Sequence, residues 1–488
     1  MRKQMEKMIF GEKSMKKRPN IIVYLSDQQR ADTLGCYGQA LDVSPVLDAL
    51  AAEGVLFENA FTCQPVCGPA RACLQTGRFP NLTGSFVNEV GLRSDENTVA
   101  KEMARAGYET AYVGKWHLAS DFKNGWVMVK WPIPPERMGG YRDYVMVSEG
   151  LELTSHGYDG HVFDKDGNRV EFIGYRTDCI TDYAIHYLHN KTSDKPFFLF
   201  LSHIEPHQQN DRDCFEGPDG SKERFKDYAV PPDLLNGKYE GDWKENYPDY
   251  LGQCRKLDDN LGKLIDTLKA QGLYDDTVII YSSDHGCHFK TQEGEYKRAC
   301  FDSCLRIPLV IAGGPFRGGR RIEKLASNIQ LPGTILSLAG VKMPEDMVYP
   351  SLEEALEDSC PWGDDVFFQI SESDLARGLR TKRWKYCVHA PHVQPLLRMD
   401  AHFTTEGYYK MLELARPDSD SYIEQYLFDL EADPWEKTNL AADPAYREVR
   451  AQLKKRLCER MAEAGEQPPE IYPFGTVLPK RYAQTQRT

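Results

Sequence analysis

Three short apolar runs frame this chain. Asn20-Ile21-Ile22-Val23-Tyr24-Leu25-Ser26 follows Pro19 and ends at Asp27; Phe197-Phe198-Leu199-Phe200-Leu201 follows Pro196 and ends at Ser202-His203; Thr277-Val278-Ile279-Ile280-Tyr281 ends at Ser282-Ser283-Asp284-His285-Gly286. Runs this short and this uniformly apolar predict strands buried on both faces, as in a parallel sheet. Each closes on polar or ionisable residues, and the carboxyl ends of such strands are where open α/β sheets place ligands. Apolar residues three and four apart predict helices between them: Ser44 to Glu53, Thr98 to Ala106, Arg176 to Leu188 and Tyr250 to Gln271. Strands alternating with helices imply an α/β fold, a large, mostly parallel sheet covered by helices on both faces.

Two stretches, Trp116 to Arg169 and Gln208 to Tyr247, escape this pattern and are rich in Gly, Pro, aromatic and charged residues. Loops of this length in a compact domain are usually functional, so both are assigned to the rim of a substrate pocket. After Pro350 the texture changes. Asp365 to Ile370, Ala376 to Val388 and Tyr426 to Leu430 read as strands without crossover helices, and Tyr446 to Ala464 as a helix. They predict a small antiparallel sheet with a helix. The expected organisation is a solvated tail at 1–18, a large catalytic domain at 19–360 and a smaller α+β subdomain at 361–488.

Composition narrows the function. With 41% hydrophobic and 27% charged residues among 488, the chain is of the soluble globular type. A formal net charge of −13 argues against nucleic acid or an anionic membrane surface as the main partner, but leaves room for a small anionic substrate in a locally basic pocket. No segment approaches the ~20 consecutive apolar residues of a membrane span. Met1 to Arg18 offers only the apolar pair Ile9-Phe10, and the 13 cysteines include no C-x-x-C pair. A cytoplasmic protein with reduced thiols is therefore expected. Oligomeric state is not legible.

Candidate chemistry gathers at the strand ends. Asp27-Gln28 and Asp284-His285 offer two carboxylates, an amide oxygen and an imidazole; if those ends converge, they form a mostly hard-oxygen site suited to calcium or magnesium. Elsewhere stand Cys67-Gly68-Pro69-Ala70-Arg71 running into Thr76-Gly77-Arg78, the segment Gly114-Lys115-Trp116-His117-Leu118, the pair Pro206-His207, and Lys297 nine residues before Arg306.

These segments, spread over about residues 19 to 445, resemble the type I sulfatases of the alkaline-phosphatase-like superfamily, whose C-x-P-x-R and T-G-R signature carries a cysteine converted to formylglycine. The resemblance implies a sulfuric ester hydrolase acting on a sulfated saccharide or similar small anionic ester, matured by a formylglycine-generating enzyme. It implies a cation, usually calcium with magnesium or manganese as alternatives, at Asp27, Gln28, Cys67, Asp284 and His285. It implies that Lys115, Lys297 and Arg71 gather positive charge on the sulfate, that Asp284 helps deprotonate the attacking hydroxyl, that His117 takes the second hydroxyl's proton, and that His207 faces the leaving group. Cys63-Gln64-Pro65 repeats the C-x-P spacing without the arginine, so Cys67 is the nucleophile. Gln28 departs from the family, where many members carry a second Asp; the Gln keeps a carbonyl oxygen and drops a charge. Asp-Gln with Asp-His also resembles phosphonate monoester hydrolases, so a phosphonate or phosphodiester hydrolase remains an alternative, with a catalytically silent binding protein as a third.

Overall fold

The structure, a computed structural model, describes residues 18–478 except 123–124, 126–129, 348, 392–411 and 414. The tail expected at 1–18 lies, apart from Arg18, outside the described residues. Eleven strands among them form one sheet. Its centre is built from β1 (Asn20–Ser26), β3 (Glu109–Lys115), β4 (Tyr144–Ser148), β7 (Phe197–Ser202) and β8 (Thr277–Ser283), in the order β8-β1-β7-β3-β4. All neighbours in that block pair in parallel. At one flank stand β10 (Leu309–Ala312), β2 (Val55–Phe61) and β11 (Arg320–Ser327), with the two-residue β9 (Arg306–Ile307) beside β2. At the other, β5 (Asp159–Asp164) and β6 (Arg169–Ile173) form an antiparallel hairpin. The sheet is thus mixed at its margins and parallel at its heart.

Side-chain alternation explains why the central strands read as continuous apolar runs. On β1, Ile21, Val23 and Leu25 enter one core while Ile22 and Tyr24 enter the other; Phe198 and Phe200 of β7 separate in the same way from Phe197, Leu199 and Leu201. On one face lie α3 (Val99–Arg105) and α6 (Leu331–Leu338); on the other lie α1 (Pro45–Glu53), α4 (Arg176–Asn190) and α5 (Trp243–Ala270). The helix expected from Tyr250 begins seven residues earlier, at Trp243, and carries Pro248 inside it, where the ring leaves the Lys244 carbonyl without its usual i+4 donor.

The stretch Trp116 to Arg169 is more regular than expected: it holds β4, which extends the parallel block, and β5. Its positions 123–124 and 126–129 lie outside the described residues. The run Ala376 to Val388 is a hairpin of β13 (Ala376–Thr381) and β14 (Trp384–His389) rather than one strand. With β12 (Asp365–Ile370), β15 (Ser421–Asp429) and β16 (Glu470–Tyr472) they make a five-stranded sheet, antiparallel except for the β15–β16 pair. Leu453, Leu457 and Met461 of α7 (Arg447–Glu463) cover it, sharing a core with Cys63, Cys73 and Phe79 of the larger body. Helix α2 (Cys67–Thr76) therefore lies between two cores, since its Ala72 and Leu74 join the main one. All 13 cysteines are free thiols, as expected, and no described helix is long and apolar enough to cross a membrane.

Candidate active site

Every charged or nucleophilic residue singled out in the sequence lies at the carboxyl edge of the parallel block. Cys67 opens α2, so its sulfur lies at the positive end of a helix dipole. Pro69 fits in the first turn, where its missing N–H is not needed, and the T-G-R segment stops the helix. Gly77 takes a left-handed C-cap at φ 65° and donates to the Cys73 carbonyl, while Thr76 Oγ1 donates to the Ala72 carbonyl. Lys115 ends β3 beside Gly114, where a Cβ would come within 1.9 Å of the Ser202 carbonyl oxygen. Only glycine lets β3 approach β7 this closely, and that approach fixes the lysine's position.

The Cys67 Sγ lies 3.4 Å from Asp27 Oδ1, 3.2 Å from His285 Nε2 and 3.1 Å from Lys297 Nζ. Burial alone would raise this thiol's pKa, but the positive charges of Lys115, Lys297 and His285 hold it well below its ordinary value. Lys115 Nζ sits 3.0 Å from Asp27 Oδ2 and 3.3 Å from Glu152 Oε2. Burial would lower its pKa, and Asp27, Cys67 and Glu152 raise it instead, so it stays charged in the interior. His117 Nε2 lies 3.3 Å from Glu89 Oε1; its pKa is raised to about 10 against the pull of burial by hydrogen bonds to Cys67 and Glu89. His207 goes the other way, lowered by burial and by Lys297. Its Nδ1 faces the Gln208 carbonyl at 2.6 Å and must donate there, so Nε2 accepts from Lys297 Nζ at 2.6 Å.

Arg71 departs from the expected role of holding sulfate. All three of its guanidinium nitrogens bind protein oxygens: Nε binds Asp284 Oδ2 at 3.1 Å, Nη2 binds Asp27 Oδ2 at 3.0 Å, and Nη1 binds the Lys115 carbonyl at 2.9 Å and Ser202 Oγ at 2.6 Å. One helical turn below Cys67, it keeps two buried carboxylates side by side that would otherwise repel.

The atoms that face each other across Asp27, Cys67, Asp284 and His285 all lie within 4.8 Å. His285 Nδ1 donates to the Gly286 carbonyl at 2.9 Å, which leaves Nε2 facing Cys67, ready to ligate a cation that displaces its proton. Burial and the neighbouring Asp27 raise the Asp284 pKa to about 6, against the pull of His285 and Arg71. Gln28 Nε2 donates to Gln208 Oε1 at 2.6 Å, and its Oε1 is buried without a hydrogen-bond partner. Two carboxylates, an imidazole lone pair and an orphaned amide oxygen fit a divalent cation.

Several neighbours carried no sequence signal. Asn88 Oδ1 accepts from the Gly68 N–H at 2.9 Å, in the first turn of α2. Glu149 accepts the N–H groups of Leu118, Ala119 and Ser120 at 3.1, 2.8 and 2.7 Å, bracing the loop after His117. Glu89 and Glu152 complete the histidine and lysine shells. Non-glycine residues Gln28, Glu89, His117 and Arg298 hold positive φ of 68°, 59°, 59° and 73°. Such strain persists where surrounding structure over-determines it, and it clusters at functional sites.

The chain is 29% identical over 471 residues, 92% of this chain and 82% of the other, to an ulvan-active sulfatase of Formosa agariphila. It is 26% identical over 546 residues to an N-acetylglucosamine-6-O-sulfatase of Bacteroides thetaiotaomicron, covering 94% of this chain and 89% of that one. A solved structure in complex with its substrate D-glucosamine-2-N,6-O-disulfate superposes with a TM-score of 0.74 at 23% identity, over 93% of this chain and 99% of that one. The Sulfatase family model matches residues 19–341. With that match across its larger body, and with relatives along nearly its whole length, the chain belongs to the sulfatase family and is an enzyme of that family.

Proposed function

We propose that this enzyme hydrolyses a sulfate ester on a sugar, using the side chain at position 67 after its conversion to formylglycine. One observation carries the reading: the Cys67 sulfur belongs to a cation-ready group of ligands and meets the Lys297 ammonium, and Lys115 joins that group at Asp27. Its sulfated-sugar substrate is supported by relatives named for ulvan and for N-acetylglucosamine 6-sulfate, and by the fold shared with a structure holding a glucosamine disulfate.

In this reading the Cys67 sulfur marks where the oxygens of an aldehyde hydrate would stand. The hydrate would supply an oxygen nucleophile and a second hydroxyl for release, and a divalent cation held by Asp27, Gln28, residue 67, Asp284 and His285, calcium before magnesium or manganese, would supply Lewis-acid charge. A sulfate ester is already an anion, so attack on it requires positive charge on its nonbridging oxygens. Lys115 and Lys297 provide that charge, and Arg71 acts at one remove by holding Asp27 and Asp284. Asp284 accepts the proton of the attacking hydroxyl. His207 is neutral with its lone pair toward Lys297, so the proton for the departing oxygen resides on this Lys297–His207 pair. The bond to Cys67 helps keep His117 protonated. With the hydrate in place of the sulfur, His117 takes the second hydroxyl's proton while Glu89 holds its Nε2.

The test is peptide mass spectrometry of the segment holding Cys67 after co-expression with a formylglycine-generating maturase, followed by a screen of sulfated mono- and disaccharides. Aldehyde at position 67 with sulfate release is the expected result; full activity of Cys67→Ala would sink the reading. Gln28 favours one second reading, phosphonate monoester or phosphodiester hydrolysis on the same scaffold, because one fewer negative ligand leaves more of the cation's charge for the substrate. Parallel rates on aryl sulfate and aryl phosphonate esters decide between them.

A further inference from the structure

A cleft of about 650 Å³ opens beside the site at the same edge of the sheet, between the 152–161 segment, the β5–β6 hairpin and Asp211. Its wall is tied to the candidate catalytic groups by hydrogen bonds and an ion pair. Glu152, which lines it, holds Lys115, and the segment 207–211 runs from one region to the other. His207 meets Lys297, Gln208 meets Gln28, Gln209 Nε2 donates to the Glu152 carbonyl at 2.6 Å, and Asp211 Oδ2 lies 3.0 Å from His156 Nε2. A substrate held at position 67 that extended past Glu152 would reach the cleft.

The lining differs in character from the sulfate site. Arg169 is matched by Glu171 at 3.1 Å, Glu152 is held by Lys115, and the one further cation among the described lining residues, Lys130, shares the cleft with the carboxylates of Asp159 and Asp211, between which His156 lies at 4.0 and 3.0 Å. His161, whose pKa is lowered by burial and by Arg169, adds no charge near neutral pH. Against this near-neutral rim stand two exposed apolar side chains, Tyr158 at 45% and Ile173 at 93% exposure. The Tyr158 ring is pre-set: its hydroxyl accepts the Asp219 N–H at 2.9 Å and its face meets Tyr175 edge-on with centroids 5.2 Å apart. A fixed aromatic face surrounded by carboxylates and imidazoles suits a sugar ring, whose C–H face stacks while its hydroxyls hydrogen-bond. It offers no surplus of cations for a second sulfate.

We infer that this cleft is a subsite for a neighbouring, unsulfated saccharide ring stacked on Tyr158, making the preferred substrate a disaccharide or longer with the reactive sulfate on the unit at position 67. The inference rests on the sugar-sulfatase reading above and adds the length and charge of the substrate.

The test compares N-acetylglucosamine 6-sulfate with the disaccharide that extends it by one unsulfated hexose. Wild-type kcat/KM is expected to be at least about tenfold higher on the disaccharide, and Tyr158→Ala and Asp159→Ala are each expected to collapse that ratio toward one. Equal rates in the wild type, or variants that lower both substrates alike, overturn the inference. Calorimetry with the unsulfated disaccharide on Cys67→Ala protein separates this outcome from failure of the enzymatic reading. Binding that disappears in a Cys67→Ala/Tyr158→Ala double variant supports the subsite even where neither sulfate is cleaved, and absence of binding overturns it even where small sulfates are hydrolysed.

Discussion

Residue by residue, the site contains two kinds of buried cation, and they should respond differently to removal. Lys297 meets a sulfur and a neutral imidazole, whereas Lys115 balances Asp27 and Glu152. Replacing either with methionine should lower kcat/KM by ~10²–10³-fold, the usual effect of losing one preorganised contact to transition-state charge. Lys115→Met should also destabilise the fold by about 3–5 kcal/mol, because Glu152 is left buried without its cation and Asp27 keeps only Arg71. Steady-state kinetics beside urea unfolding will show whether the two variants separate in this way. Asp284 supplies a pH test. Its folded pKa of about 6 lies above its ordinary value, so without a cation the native state binds the extra proton below about pH 6. A cation must displace that proton. The rise in Tm on adding calcium should therefore be full at pH 7 and fade as pH falls through 6; a calcium effect independent of pH between 5 and 7 would show that Asp284 is not a ligand. Arg71 shows where reading residue types stops. Its place in the signature was legible, but its partners were not, because a guanidinium four positions after the cysteine can face a substrate or the carboxylates beneath, and only the packing of β1, β8 and α2 decides.

Among elements, capping across sequence distance holds the scaffold of the site in place. α1 has no side-chain cap of its own at Ser44; Asp258, inside α5, accepts the N–H groups of Val46 at 3.0 Å and Leu47 at 2.7 Å. Burial raises its pKa to about 7 despite those bonds. Asp258→Ala should destabilise the protein by about 1–2 kcal/mol in chemical unfolding, the range of a lost helix cap, and Asp258→Asn by less. The strands that sequence made legible, β1, β7 and β8, are those buried on both faces at every position, with polar residues confined to their ends. β2 and β3 are nearly as buried but less legible. Glu58 and Asn59 interrupt β2, and Gly114 and Lys115 end β3 because the site requires a close approach and a charge there. The β5–β6 hairpin, at the sheet margin with exposed Arg169, Glu171 and Ile173, gave no buried pattern to read.

At the scale of the whole molecule, the two sheets share their cores. Cys63, Cys73 and Phe79 pack with Leu379, Tyr386 and Leu457, and Phe61, Cys300 and Leu325 with Val366, Phe368 and Cys387. Arg298, next to Lys297, pairs with Glu372, and Lys385 of β14 lies 2.5 Å from Asp302. A chain ending at residue 360 would expose these surfaces along α2 and beside Lys297. It should aggregate or lose sulfatase activity entirely when expressed, while an active, monodisperse truncation would show that the smaller sheet is dispensable. The sequence by itself determined the α/β class, the central strands and the segments from which the candidate site is built. Those depend on local apolar runs and on fixed spacings within one segment. Tertiary structure alone decided that Arg71 serves the carboxylates, that Glu89, Glu149 and Glu152 brace the catalytic groups, and that a near-neutral cleft lies beside a cationic site. These depend on contacts between residues tens to hundreds of positions apart, and such contacts come into being only when the strand ends converge.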